Sequence, residues 1–77
     1  MNRKKQLKKE IEASRNEISE LESKIIRSQS ALMEAIITHT KPDDNDIEYF
    51  RLLTSLIKVE RENLHKLTEE LKEFEKK

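Results

Sequence analysis

The chain lacks glycine, cysteine and tryptophan and has a single proline among its 77 residues. Glycine provides the positive-φ positions on which β-hairpins and multi-loop folds rely, so its absence predicts very few turns. Without cysteine there is no disulfide framework, no cysteine-based zinc site and no thiol chemistry. No apolar run approaches the roughly 18 residues of a membrane span, and the basic start, residues 1–5, leads into no signal-like apolar segment. We therefore expect a cytoplasmic protein without a membrane partner.

Apolar residues are also scarce. They make up 34% of the chain and charged residues 42%, against about 45–50% and 25% in typical soluble domains. Sixteen basic and sixteen acidic residues balance to a net charge of zero. Below roughly 80 residues a single core rarely suffices without disulfides, metal or oligomerisation. The composition therefore favours one small domain that associates with another chain.

The main cluster of helix breakers lies near the middle, at residues 40–46. Pro42 cannot continue a helix and disfavours helical geometry in the residue before it. Asp43, Asp44 or Asn45 can cap a second helix, and Asn45 with Glu48 has the spacing of a capping box. The prediction is one helical hairpin over residues 1–77, with helix 1 at about 3–40, a loop at 41–45 and helix 2 at about 46–76.

Apolar and small residues recur on both sides of the breaker cluster with the heptad spacing of a coiled-coil seam. The first set, at alternating d and a positions, is Leu7, Ile11, Ser14, Ile18, Leu21, Ile25, Ser28, Leu32, Ala35 and His39. The second, at alternating a and d positions, is Phe50, Leu53, Ile57, Glu60, Leu64, Leu67, Leu71 and Phe74. A short loop makes such helices antiparallel neighbours, so the fold class is an all-α, coiled-coil-like two-helix hairpin.

Polar residues interrupt the seam and suggest a register. Folding the chain about residue 44 sets Ser28 opposite Glu60 and Ser14 opposite Phe74, so that polar meets polar and small meets large. An ionisable group in a seam is costly unless it is paired. We expect a nearby basic side chain to neutralise Glu60, or Glu60 to fix register and partner choice. The candidate bases are Lys24, Arg27 and Arg61.

Near the loop the apolar stripe extends well beyond the seam. The extra positions are Ile26, Ala31, Met33, Ile36 and Ile37 on helix 1, and Ile47, Tyr49, Leu52, Leu56 and Val59 on helix 2. Two helices cannot cover all of these with each other, and a contiguous apolar surface of this kind marks a partner site. The predicted interface is Ile25, Leu32, Ile36, Phe50, Leu53, Leu56 and Ile57. The predicted assembly is a four-helix bundle, formed with a second copy as a homodimer or with another helical protein.

The zero net charge hides a basic start and an acidic end. The basic residues are Arg3, Lys4, Lys5, Lys8 and Lys9, and the acidic ones are Glu69, Glu70, Glu73 and Glu75. In an antiparallel hairpin these ends meet and neutralise each other, with little stabilisation per exposed pair. The alternative is that the five basic residues form a phosphate-binding arm for nucleic acid.

The search for reactive groups finds no catalytic or ligand-binding constellation. His39 and His65 fall at different levels of the hairpin, and the acidic run from Asp43 lacks the glycine and bidentate glutamate of a calcium loop. Ser14 and Ser28 have no base arranged beside them. We expect no enzymatic activity, no cofactor, no metal and no small-molecule substrate.

Two patterns resemble known families. The plan of two comparable helices and a short acidic turn resembles the Rop-type plasmid RNA-binding dimers, which are antiparallel four-helix bundles. Lys41-Pro42-Asp43-Asp44, followed by Ile47 and Tyr49-Phe50, is similar to the hairpin turn of type III secretion needle subunits, whose helical-hairpin chaperones have a comparable layout. The predicted function is a non-enzymatic interaction module, either a small regulator, an adaptor or a chaperone-like subunit. The alternative is a Rop-like nucleic-acid-binding dimer.

Overall fold

The computed structural model describes residues 2–76 and contains two helices in this range, α1 (Arg3–Ile37) and α2 (Asp44–Glu75). They pack against each other along their length as a rod of 59 × 18 × 14 Å. The described residues contain no strand, so the predicted all-α two-helix hairpin is confirmed. The outermost residues of the predicted domain, Met1 and Lys77, lie outside the described range. The loop occupies residues 38–43, so α1 is shorter than predicted and α2 begins earlier.

The end of α1 explains why the helix stops before Thr40. His39 has a φ of 57°, in the left-handed region that glycine usually occupies. The amide of His39 donates to the carbonyl of Ile36 at 3.1 Å, and the amide of Thr40 donates to that of Ala35 at 2.9 Å. This is the Schellman pattern of helix termination. In a chain without glycine, a histidine takes the left-handed position and ends the helix at Ile37.

Side-chain caps begin both helices. Asn2 accepts a hydrogen bond from the amide of Lys4 at 3.0 Å, and Asp43 accepts one from the amide of Asn45 at 2.8 Å. Asp43 is therefore the residue, among the three predicted candidates, that caps α2, and the predicted Asn45–Glu48 capping box lies inside the helix instead. The first turn of α2 is acidic, which suits the positive end of the helix dipole.

The core follows the heptad seam over most of α1. Its buried residues are Leu7, Ile11, Ser14, Ile18, Leu21 and Ser28. On α2 only Leu53 and Ile57 are fully buried. Ile18, Leu21, Leu53 and Ile57 form one cluster, against which Ile25 and Leu64 pack. The seam predicted from the sequence is therefore present, but close to the loop α1 is covered only in part.

The register differs from the one predicted. Glu60 accepts a hydrogen bond from Ser14 at 2.7 Å, and Arg3 reaches Glu70 at 2.8 Å. Ser28 instead lies beside a shallow groove shared with Tyr49. The predictions that Ser28 faces Glu60 and that Ser14 faces Phe74 are therefore wrong, because the chain folds back before residue 44. Ser14 and Ser28 both occupy d positions, so heptad spacing alone does not distinguish them as partners of Glu60.

Candidate interaction surface

The hairpin has two broad sides that differ in charge. Because the helices are antiparallel, their b and e positions share one side and their c and g positions share the other. The b and e positions hold Lys5, Lys8, Arg15, Arg51, Lys58, Arg61 and Lys72, against Glu12, Glu22, Asp44 and Glu75. The c and g positions hold Glu10, Glu17, Glu20, Glu34, Glu70 and Glu73, against Arg3, Lys24, Arg27 and Lys66. We call these the basic face and the acidic face.

Large apolar side chains are exposed mainly on the two stretches of chain that flank the loop, residues 25–37 and 47–59, which together we call the loop-proximal half. Nine such residues are at least 40% exposed among those described, and only Phe74 lies outside this half. The eight others are Ile26, Met33, Ile36, Ile37, Tyr49, Leu52, Leu56 and Val59. This concentration confirms that the apolar stripe widens beyond what the two helices cover.

The basic face carries the apolar residues of α1. Ile26, Met33 and Ile36 occupy its b and e positions and are exposed. Beside them, Ile25, Ile26 and Ile57 line an open groove of 810 Å³ between the helices. Its rim is formed by Glu22 of α1 and by Lys58, Arg61 and His65 of α2, among others. The basic face thus combines an apolar floor with a border of mixed charge, in which Lys58, Arg61 and Lys66 outnumber Glu22 and Glu62.

The acidic face carries the apolar residues of α2. Tyr49, Leu52, Leu56 and Val59 follow one another at intervals of three and four residues, which places them in one stripe along the helix. All four are about half exposed or more. Near the terminal half, Glu10 and Glu60 line a groove on this side. Exposed apolar surface therefore lies on opposite sides of a hairpin that is only two helices wide.

The seven predicted interface residues fall into three groups. Ile36 and Leu56 are exposed, and Ile25, Leu32 and Phe50 are partly buried. Leu53 and Ile57 are only 2% and 6% exposed, because they pack inside the hairpin. These two residues have almost no surface left for a partner, so their assignment to the interface is corrected.

The predicted set also left out several strongly exposed apolar positions. Ile26, Met33, Tyr49, Leu52 and Val59 belong to the widened stripe but were not selected. They occupy positions b, c and g, whereas the selection favoured the a and d seam, which the hairpin uses for itself. In the sequence, the signal that these apolar residues lie on the surface is their position outside the seam.

The basic N-terminal segment is engaged in part by the acidic C-terminal segment. Arg3 donates to both carboxylate oxygens of Glu70, at 2.8 and 3.1 Å, and lies 3.5 Å from Glu10. The hydrogen bond from Arg3 lowers the pKa of the Glu70 carboxyl, and the same bond raises the pKa of Arg3. Lys4 is partly buried, whereas Lys5, Lys8 and Lys9 are exposed. The predicted meeting of the two ends is confirmed for Arg3.

Glu60 is held by neutral partners. Its carboxylate accepts hydrogen bonds from the hydroxyl of Ser14 at 2.7 Å and from the amide of Asn63 at 3.4 Å. Within residues 2–76, none of the salt bridges includes Glu60, so the predicted ion pair with a nearby basic residue is not formed. The described residues also contain no group of His, Cys, Asp and Glu arranged to hold a metal ion.

In the part of the chain that the structure describes, neither helix combines the length and apolarity needed to cross a membrane. Comparison with protein-family models, with curated protein sequences and with solved structures gave no match. The function is therefore inferred from the geometry of the hairpin itself.

Proposed function

We propose that this chain is a protein–protein interaction module that completes a four-helix bundle through its loop-proximal half, serving as a small regulator, adaptor or chaperone-like subunit. The observation that carries the proposal is the concentration of eight exposed large apolar side chains in that half. Exposed apolar surfaces of this extent on small proteins mark sites of association. The partner is a helical protein, either a second copy or a different chain, and the action is binding without catalysis.

The total accessible surface supports the same proposal. The chain exposes 6260 Å² at a mass of 9.2 kDa, whereas a compact monomer of that mass exposes about 4,900 Å². The excess is about 1,300 Å² per chain. Permanent dimers bury roughly 2,000–5,000 Å² of accessible surface in total. A dimer in which each chain buried its excess surface would therefore fall within this class.

The exposed residues also suit a helical partner. The groove on the basic face is bordered by two helices and floored by isoleucine, which is the shape that an amphipathic helix fills. The half-buried side chains at Ile25 and Leu32 are seam residues that a third and a fourth helix would cover. Packing two hairpins side by side therefore continues the heptad packing already present within each.

Dependence of thermal unfolding on concentration tests the proposal. Association of folded chains raises the melting temperature as protein concentration rises, so we expect a clear increase over about a 100-fold range of concentration. Leu56→Gln should weaken this dependence, and Ser55→Gln, a neighbouring exposed substitution, should retain it. A wild-type melting temperature that does not change with concentration would contradict self-association. If the chain also bound no other helical protein, the proposal as a whole would be contradicted.

A nucleic-acid role predicts a different result. Because Arg3 is paired with Glu70, the exposed cations of the N-terminal segment are mainly Lys5, Lys8 and Lys9. So few phosphate contacts give weak binding that salt removes readily. Binding to duplex RNA that persists at physiological salt, and that falls when these lysines are changed to glutamine, would favour the nucleic-acid-binding dimer over the interaction module.

A further inference from the structure

We infer that the partner is a second copy of this chain, bound acidic face to acidic face in an antiparallel dimer whose two-fold axis passes close to Glu20. This assignment of the partner rests on the proposed function. The centre of the contact is the row formed by Tyr49, Leu52, Leu56 and Val59, which we call the α2 stripe. It is the part of the loop-proximal half that faces the second copy.

The α2 stripe is a second heptad seam on its helix. Its residues are spaced by three, four and three positions, the a–d spacing by which helices pair in coiled coils. Each of its side chains is between 45% and 64% exposed. In an antiparallel pair of such seams, Leu52 of one copy meets Leu56 of the other, and Tyr49 meets Val59. The stripe is therefore complementary to itself when one copy is turned end over end.

The register of the hairpin places the α2 stripe at the middle of the rod. Leu21 belongs to the same core cluster as Leu53, so Leu52 and Leu56 lie level with about residues 18–23 of α1. Glu20 is the midpoint of α1, which runs from residue 3 to residue 37. A second copy turned end over end about this point therefore overlaps the first along nearly its whole length.

This overlap is large enough for a stable dimer. The rod is 59 Å long and 18 Å wide. Its acidic face therefore offers a projected area of about 1,000 Å² per chain, against roughly 800 Å² per partner in a standard protein interface. The contact uses the same surface of both copies, so it closes at two chains.

The charged residues of α1 beside the α2 stripe are also complementary to themselves. Glu17, Glu20, Lys24 and Arg27 lie on the acidic face, two acids followed by two bases. Reversing α1 about residue 20 brings Glu17 opposite Lys24 of the second copy. The two copies of Glu20 lie near the axis, between Lys24 of one chain and Lys24 of the other. The α1–α1 contact thus holds equal numbers of acids and bases, an arrangement that favours this orientation.

A parallel dimer through the acidic face lacks this match. In that arrangement α2 of one copy lies over α1 of the other, with both copies pointing the same way. Leu52 and Leu56 would then meet Glu20 and Lys24 instead of each other. Charged groups covered by apolar side chains lose their hydration without gaining a partner, which is unfavourable.

Pairing through the basic face covers less of the chain. Its exposed apolar residues Ile26, Met33 and Ile36 lie toward the loop end of α1. Antiparallel copies centred on them overlap only over about residues 25–37 of α1, and the rest of each rod stays uncovered. The acidic face therefore offers the larger contact.

Cross-linking at two adjacent positions tests where the axis lies. The chain has no cysteine, so Glu20→Cys places a single thiol near the proposed axis. Ser19→Cys is the matched control, because it places the thiol at the same level on the basic face, and both positions are exposed. With a short bis-maleimide we expect Glu20→Cys to form covalent dimers at least about 10-fold faster than Ser19→Cys. Equal rates in a dimeric protein would overturn the proposed axis.

A spin label at Glu34→Cys tests the orientation of the two copies. Antiparallel copies centred on residue 20 separate the two labels by about 40 Å along the rod, at about 1.5 Å per residue. Parallel copies would bring the labels within about 20 Å, because only the distance between neighbouring helices separates them. A measured distance well below 40 Å would overturn the antiparallel arrangement.

Paired variants test which face is used. Leu52→Gln/Leu56→Gln removes two exposed apolar residues from the α2 stripe, and Ile26→Gln/Met33→Gln removes two from the basic face. All four positions are exposed, so helix content should persist, as circular dichroism will show. In sedimentation equilibrium we expect the leucine variant to need at least about a 100-fold higher concentration to dimerise. The basic-face variant should stay within about 3-fold of wild type.

Other outcomes separate this dimer from the proposed function. A wild-type dimer that is lost only in the basic-face variant would place the interface on the basic face, which overturns the proposed dimer and leaves the interaction module in place. A folded wild-type monomer that binds a different helical protein would have the same consequence. A folded monomer that binds no helical protein would contradict both.

Discussion

The hydroxyl of Ser14 donates a 2.7 Å hydrogen bond to the carboxylate of Glu60 across the two helices. Both residues occupy d positions, where an apolar residue would bury more surface. Polar groups at such positions fix register at a cost in stability. The pair therefore accounts for the alignment of α1 with α2.

Replacing the pair with apolar residues should raise the stability of the hairpin and weaken the control of its register. We expect Ser14→Ala/Glu60→Leu to raise the melting temperature, because the seam gains apolar burial, and to permit pairing displaced by whole heptads. The chain has no cysteine, so spin labels can be attached at cysteines introduced for Glu12 and Thr68, which line one groove. Each heptad of slip moves the labels by about 10 Å along the axis. A single unchanged distance in the double variant would contradict this role.

The seam, the fold class and the loop position could be predicted because heptad spacing and Pro42 are local signals. The register could not, since Ser14 and Ser28 occupy equivalent d positions and only the three-dimensional course of the loop chooses between them. The interface stays a prediction. Apolar content indicates that the loop-proximal half has more apolar residues than two helices cover, but sequence does not show which of these groups the hairpin itself buries, so the predicted set includes the core residue Leu53.

The left-handed conformation of His39 gives a second prediction. A non-glycine residue in this region costs about 1–2 kcal/mol, so His39→Gly should stabilise the folded chain by about 1 kcal/mol in urea unfolding at fixed protein concentration. His39→Ala retains the unfavourable Cβ and should give no such gain. Equal stability of the glycine and alanine variants would show that the helix ends in another way in solution.

The contact between Arg3 and Glu70 gives a pH-dependent prediction. The pKa of the Glu70 carboxyl is lowered by its hydrogen bond to Arg3, so this pair favours the folded state above the unfolded pKa, about 4.3. That contribution is lost as the pH falls through the lowered folded value. A carboxyl titration by nuclear magnetic resonance should place Glu70 below its ordinary range, and Arg3→Gln should restore it. An ordinary pKa in the unmodified chain would show that the contact does not persist.

Two adjacent leucines should differ sharply in their contribution to hairpin stability. Leu53 is 2% exposed and Leu52 is 54% exposed. Leu53→Ala should cost about 2–5 kcal/mol through loss of core packing, whereas Leu52→Ala should cost no more than about 0.5 kcal/mol when the chain is dilute. At concentrations where chains associate, Leu52→Ala should additionally weaken association. Equal losses for the two variants in dilute solution would contradict the assignment of Leu53 to the core and Leu52 to the surface.

The central claim, in its simplest form, is that a second copy of the chain covers the loop-proximal apolar half. The most direct test is the mass of the wild-type chain by sedimentation equilibrium, measured from about one to several hundred micromolar, a range that covers moderate affinities. The account predicts a mass that rises with concentration to at least that of two chains. A constant mass of 9.2 kDa, in a chain that circular dichroism shows to be helical and cooperatively folded, would contradict it.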